Sequence, residues 1–205
     1  GGALKNLGMG CGSRLGKKDM HASEKPAVDQ SRCVGCGVCA KNCAHGAITV
    51  TEHAHIDATK CAGCGRCIEK CPQKCVHPMD DRANEILSRK VAEYTAAVVR
   101  GRPCFHVALA CDISPYCDCY ALNDAPILED IGMFASFDPV AMDQCCVDMA
   151  NARKPLRNSL LYKREKPGAA DHFTALFPET NWQAGLEQGE KLGIGTREYE
   201  MEEMA

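Results

Sequence analysis

The chain has 205 residues, a formal net charge of −3 and 45% hydrophobic residues, enough for one medium domain and one small domain. The small negative charge gives no electrostatic reason to expect nucleic acid or an anionic membrane as a partner. No apolar run approaches the ~20 residues of a membrane span, and no signal peptide is visible. Because the sequence opens without Met on GGALKNLGMG, we expect a fragment whose N-terminal part is missing.

Sixteen cysteines are the unusual feature of the composition. Half of them lie in two short runs with two-residue gaps, a spacing that suits metal binding better than disulfide bonds. Reduced thiols in this number predict a cytoplasmic protein.

The two cysteine runs form an internal repeat with the pattern C-x2-C-x2-C-x3-C, and the second run follows the first at an offset of 28 residues. Three closely spaced thiolates can hold one iron–sulfur cube, and in two-cluster ferredoxins the fourth thiolate comes from the other run. Zinc also takes four thiolates, but zinc ribbons pair two C-x2-C knuckles across a long gap. The pattern therefore predicts two 4Fe–4S clusters, one on Cys33, Cys36, Cys39 and Cys71 and the other on Cys61, Cys64, Cys67 and Cys43.

Residues 31–76 resemble the bacterial dicluster ferredoxins through this pair of runs. That family has Pro after each fourth cysteine, which Pro72 matches and Ala44 does not. The repeat also aligns Cys75 with Ala47, so we predict that Cys75 is a small core residue and not a ligand. Between the runs, residues 47–60 alternate and return as a short hairpin would.

The remaining sequence predicts helices and buried strands. Apolar residues at helical spacing predict a helix within 80–102, where Asp80 or Asp81 can act as the N-cap. Residues 105–113 are largely apolar on both faces, which is typical of a strand in a parallel sheet. A second strand follows within 131–137, and Asp138 caps a helix over 138–152. The fold class predicted is an α/β body with a largely parallel sheet, interrupted by a small α+β dicluster ferredoxin insert.

Three stretches taken together resemble the domain of unknown function 362 family, whose members are uncharacterised iron–sulfur centre proteins. These stretches are GGALKNLGMGCGSRLGK, PYCDCYALNDAPILEDIGMFASFDPVAMDQ and NWQAGLEQGEKLGIGTREYE. The resemblance implies that residues 1–30 and 77–205 form one α/β body around the ferredoxin domain at 31–76. It implies no established reaction.

The loop after the first predicted body strand carries a second candidate site. Cys117 and Cys119 alternate along the chain, so their side chains can point the same way, and among the nearby carboxylates Asp124 is the predicted partner. Parallel α/β sheets bind ligands at this end of their strands. The alternative is that these thiols only pack.

Two functions remain open from the sequence. The first is an iron–sulfur redox protein that transfers electrons to or from a site in the α/β body, with an electron donor or acceptor protein as partner; it could be an oxidoreductase component with an unknown substrate. The second is a metal-binding or delivery module whose clusters are structural. A further metal or organic cofactor is compatible with either, and the sequence indicates no oligomeric state.

Overall fold

The computed structural model describes residues 2–79, 82–117, 123–164 and 169–204. The chain divides into two compact units: a large unit of Gly1–Gly12 with Ser88–Ala205, and a small unit of Ser13–Leu87. The small unit contains both cysteine runs and extends beyond the predicted range 31–76 at each end. The bounds of these units differ from the domain bounds 1–30, 31–76 and 77–205 that the resemblance implies, and those domains stay a prediction.

The small unit is built from a strand–helix–strand pattern that occurs twice. Its elements are the helix α2 (Arg14–Met20), the strand β1 (Pro26–Val28), the helix α3 (Val38–Lys41), the strands β2 (Ile48–Val50) and β3 (Ala54–Ile56), the helix α4 (Arg66–Glu69) and the strand β4 (Val76–Pro78). The bounds of β3, α4 and β4 are those of β1, α3 and β2 moved by 28 residues. The sequence repeat is therefore also a structural repeat.

The two halves of the repeat exchange strands. β1 pairs antiparallel with β4, with Val28 opposite Val76, and β2 pairs antiparallel with β3, with Ile48 opposite Ile56. Each two-stranded sheet thus takes one strand from each half. The β2–β3 hairpin confirms the prediction for residues 47–60.

Equivalent turns set the chain direction before each cysteine run. The Asp57 carboxylate accepts hydrogen bonds from the backbone N–H of Thr59 at 2.9 Å and from its hydroxyl at 2.6 Å. Asp29 and Ser31 make the same pair of bonds 28 residues earlier. Such a side-chain turn needs Asp followed two residues later by a hydroxyl residue, so it is encoded locally in each half.

The large unit is mostly helical and contains one sheet in its described residues. Its elements are the helix α1 (Gly2–Lys5) with a π-helical turn at Asn6–Gly10, most of the helix α5 (Ala83–Val99), the strands β5 (His106–Ala110) and β6 (Gly132–Ser136), and the helices α6 (Pro139–Asn151), α7 (Leu160–Arg164), α8 (His172–Leu176) and α9 (Gln183–Lys191). The predicted helix within 80–102 and the predicted strands are confirmed, while the proposed caps Asp80 and Asp81 lie outside the described residues.

Two apolar clusters hold this unit together. One packs Ile127 and Leu128 against Leu161 and Leu176, and the other packs Leu4 of α1 against α6 and α9. Asp138 caps α6 as predicted, because its carboxylate accepts from the backbone N–H groups of the first turn.

The predicted largely parallel sheet is wrong. Throughout the described residues every sheet is a pair of antiparallel strands, and β5 pairs antiparallel with β6. A parallel pair needs a crossover of a dozen or more residues, usually helical, and the described part of the segment between β5 and β6 contains no helix. β5 is apolar on both faces, but only the His106 face is covered, whereas Val107 and Leu109 are exposed.

No helix in the part of the chain that the structure describes is long and apolar enough to cross a membrane. The longest, α5, has 17 residues.

Candidate metal centres

The first cavity of the small unit has a volume of about 310 Å³, including space open to solvent. Its wall contains Cys33, Cys36 and Cys39 of the first run together with Cys71 of the second run. Cys75 also lines it. Apart from Cys75, the cysteines of this cavity are the four that the sequence predicts as ligands of one cluster.

The second cavity has a volume of about 340 Å³ on the same measure. Cys61, Cys64 and Cys67 of the second run line it together with Cys43 of the first run. The structure therefore brings the eight predicted ligands together in two groups of four, with the fourth member exchanged between runs. That the groups bind iron remains a prediction.

The exchange of strands explains the exchange of cysteines. In each half, a short helix presents the third cysteine and the chain then enters the strand that pairs with the other half. Cys71 precedes β4, which pairs with β1, and Cys43 precedes β2, which pairs with β3. The fourth cysteine of each run is thereby carried to the cavity of the other run.

Glycine is required where the first two cysteines of each run are joined. Gly35 has φ +62°, and a Cβ added to it would lie 2.4 Å from the carbonyl oxygen of Glu52. The equivalent Gly63 has φ +72°, and its Cβ would lie 2.3 Å from the carbonyl oxygen of His21. Both backbone conformation and close packing exclude a side chain here.

Backbone amides point at the cysteine sulfurs, as expected around thiolate ligands. The donors and sulfurs are Ala54 N to Cys33 Sγ at 3.3 Å, Ala47 N to Cys43 Sγ at 3.4 Å and Gly63 N to Cys61 Sγ at 3.4 Å. A hydrogen bond to a thiolate favours its charged form, which is the form that binds metal.

The cysteines of these cavities differ in how easily they ionise. The amide of Ala54 lowers the pKa of Cys33. Burial raises the pKa of Cys39, and it raises the pKa of Cys67 to about 11. A bare thiolate at Cys67 is thus unfavourable at neutral pH, and coordination to a cation would offset that cost.

The donor sets fit cubane clusters. In a cubane each cysteine binds a different iron atom, so the four thiols must surround a volume and need not meet at one point. Each cavity has four cysteines in its wall, the number that a cubane needs. Within the described ranges, no three His, Cys, Asp or Glu side chains form a group that could hold a single metal ion.

Cysteines also make up much of the core of the small unit. One buried cluster of this unit consists of Cys33, Cys39, Ile48, Ala54, Cys67, Cys75 and Val76, and four of these seven residues are cysteines. The other three members of the cluster are Ile48, Ala54 and Val76, so an occupant bound to the cysteines would add to the stability of this unit.

One of the reasons for predicting a site around Cys117, its position at the end of a parallel strand, does not hold. Ligand binding at the carboxyl end of a strand is a rule for open parallel α/β sheets, and β5 lies in an antiparallel pair. Cys119 lies outside the described residues. Asp124 is exposed, and its carboxylate accepts from the N–H of Ala125 at 2.8 Å.

Cys117 nevertheless has a polar neighbour that the sequence did not indicate. Lys5 donates from Nζ to Cys117 Sγ at 2.8 Å, across 112 positions of the chain. An adjacent cation favours a thiolate. Cys117 therefore stays a candidate functional residue.

Sequence reasoning placed Cys75 in the core but missed that it faces the first cavity. Cys75 Sγ lies 3.4 Å from Cys71 Sγ, and burial raises the pKa of Cys75 to about 12. The available signal was the spacing, because Cys75 follows a predicted ligand by four residues in a half whose partner has Ala47 at that place.

Comparison with curated proteins gave no match. A family model described as "Domain of unknown function (DUF362)" matches residues 1–148, which include both cysteine runs and continue into α6. This match covers more than half of the chain and includes the first two of the three sequence stretches, so the protein belongs to the DUF362 family. The dicluster ferredoxin part of the resemblance stays a prediction.

Proposed function

We propose that the protein is an iron–sulfur protein that carries two 4Fe–4S clusters and transfers single electrons to or from a partner. One observation carries the proposal: each cavity is lined by three cysteines of one run and by the fourth cysteine of the other. This is the ligand exchange of two-cluster ferredoxins. Each cluster, when bound, would take up and release one electron.

The surroundings of the cysteines support a redox role. Amide hydrogen bonds reach the sulfurs of Cys33, Cys43 and Cys61, and such bonds stabilise the extra negative charge of a reduced cluster. Cys36 and Cys64, one beside each cavity, are exposed. Exposure at these positions would give a partner protein a short path to each cluster.

A structural role is the second candidate, and the composition of the core favours it. Four of the seven residues in one buried cluster are cysteines, so iron–sulfur clusters in these cavities would act as cross-links of a small unit even without electron transfer. In that case the protein would be a metal-binding or delivery module.

The test is anaerobic purification followed by quantification of iron, sulfide and zinc, with about eight irons per chain expected from two 4Fe–4S clusters. About two irons, or stoichiometric zinc, would reject the proposal. Visible absorption that bleaches with dithionite and recovers on reoxidation by a soluble electron acceptor separates electron transfer from the structural role. Clusters that resist reduction would favour the structural role.

A further inference from the structure

Cys75 is a fifth thiol at the first cavity. It is 3% exposed and lines the cavity that contains Cys33, Cys36, Cys39 and Cys71. Its Sγ lies 3.4 Å from Cys71 Sγ, within hydrogen-bonding distance for sulfur. The first cavity thus has one more sulfur than a cubane cluster needs.

The internal repeat supplies a comparison within the same molecule. Ala47 stands 28 residues before Cys75, lines the second cavity and is 2% exposed. The two positions therefore share their backbone setting and their burial. They differ by one thiol group, which is present at the first cavity and absent at the second.

The direction of the hydrogen bond follows from the chemistry of a ligand. A cysteine that binds iron has no sulfur proton, so Cys71 could only accept, and the S–H group of Cys75 would be the donor. A donor on a ligand sulfur withdraws negative charge from the cluster. It therefore stabilises the reduced state, which carries one more electron, over the oxidised state.

We propose that Cys75 is a hydrogen-bond donor to the Cys71 sulfur, and not a ligand, and that it makes the first cluster the easier of the two to reduce. This inference rests on the proposed function. In the singly reduced protein the electron would reside mainly on the first cluster, so electron transfer from the second cluster to the first would be favoured. No covalent bond is made or broken, because only an electron passes between the clusters.

The experiment compares the anaerobic wild-type protein with Cys75→Ala, Cys75→Ser and Ala47→Cys. For each we would measure iron and sulfide content and the two reduction potentials, by potentiometry followed with EPR. We expect about eight irons in all four proteins. Wild type should have two separate potentials, and Cys75→Ala should lower the higher one, reducing the preference of the electron for the first cluster by about fivefold, the effect of one net hydrogen bond.

The other two variants keep the inference testable if Cys75→Ala fails to fold. Cys75→Ser retains a hydrogen-bond donor, so the two reduction potentials should stay separate. If Cys75 only filled space, retaining a donor would not be needed to keep them separate. Ala47→Cys adds the missing donor at the second cavity and should raise the lower potential.

The outcomes separate this inference from the proposed function. Unchanged potentials in both Cys75→Ala and Ala47→Cys, with iron retained, would overturn the role of Cys75 and leave the proposed function standing. Loss of about four irons in Cys75→Ala and Cys75→Ser would make Cys75 a ligand and also overturn it. Wild-type protein without iron would reject the proposed function itself.

Discussion

The exchange of the fourth cysteine between runs makes Cys43→Ala a decisive substitution. Cys43 belongs to the first run but lines the second cavity with Cys61, Cys64 and Cys67. Its removal should therefore damage the cluster of the second run. Working from the cavity linings, we expect loss of about four of the eight irons and retention of the rest.

Iron content alone does not identify which cluster is lost, so the single variant needs two double variants. Cys36 and Cys64 are the second cysteines of the two runs, and both are exposed, so replacing either disturbs little packing. If Cys43 and Cys64 serve one cluster, Cys43→Ala with Cys64→Ala should retain about four irons, whereas Cys43→Ala with Cys36→Ala should retain none.

The opposite pattern would refute the reasoning. If each run held its own cluster, the double variant of Cys43 and Cys36 would retain about four irons, whereas the double variant of Cys43 and Cys64 would retain none. The matched substitution Cys71→Ala should mirror the result, because Cys71 lines the first cavity. Iron and sulfide analysis of the same anaerobic preparations, with EPR of the remaining cluster, reads out all variants.

Three further predictions concern stability. Removing iron with a chelator should unfold the small unit, because four of the seven residues in one of its buried clusters are cysteines. Amide hydrogen exchange should then show loss of protection in Ser13–Leu87, while the large unit stays protected. Full protection in the small unit would contradict this prediction. Asp138→Ala removes an acceptor of bonds from the N–H groups of Val140 (2.8 Å), Ala141 (2.9 Å) and Thr196 (2.8 Å), and should lower the free energy of unfolding of the large unit by about 2 kcal/mol in urea. Asp138→Asn keeps one acceptor oxygen and should lose less, so equal losses would argue against the cap. Burial lowers the pKa of His106, whose Nε2 has no hydrogen-bond partner within the described structure, so the folded state binds this proton less readily than the unfolded chain. The stability that neutral His106 gives the folded state is therefore fully present above the unfolded pKa of about 6.5, and it is lost as the pH falls from that value towards the lower folded pKa. Between pH 7.5 and pH 5.5, the free energy of unfolding of the large unit should fall less in His106→Leu than in the wild type. An equal fall in both proteins would contradict the lowered pKa of His106.

Local signals in the sequence predicted much of the small unit. The 28-residue repeat gave the two groups of four cysteines that the structure brings together, and alternation gave the hairpin of β2 and β3. These features depend on residues close in the chain or on the repeat itself. The contact of Lys5 with Cys117 joins residues 112 positions apart, and no local sequence pattern predicted it.

The error in the large unit has a different physical origin. A strand that is apolar on both faces was taken to be buried on both, as in a parallel sheet. In β5 the face of Val107 and Leu109 is exposed, and these residues lie opposite Ala135 and Met133 of β6, which are exposed too. The hydrophobic residues of a strand indicate which of its faces could be buried, but they do not indicate whether the neighbouring strand is parallel or antiparallel. Contiguous exposed apolar surface of this kind commonly marks a contact with another segment or protein.

The exchanged strands and the exchanged cysteines have one further consequence for how the small unit forms. A single half of the repeat contains one strand of each sheet and three of the four cysteines of one cavity. It therefore has neither a complete strand pair nor a complete set of ligands. Each sheet and each cavity needs both halves, so cluster binding should favour the association of the two halves. On the proposed function, clusters in the cavities would therefore add to the stability of the small unit, whose buried cluster contains only three apolar residues besides its cysteines.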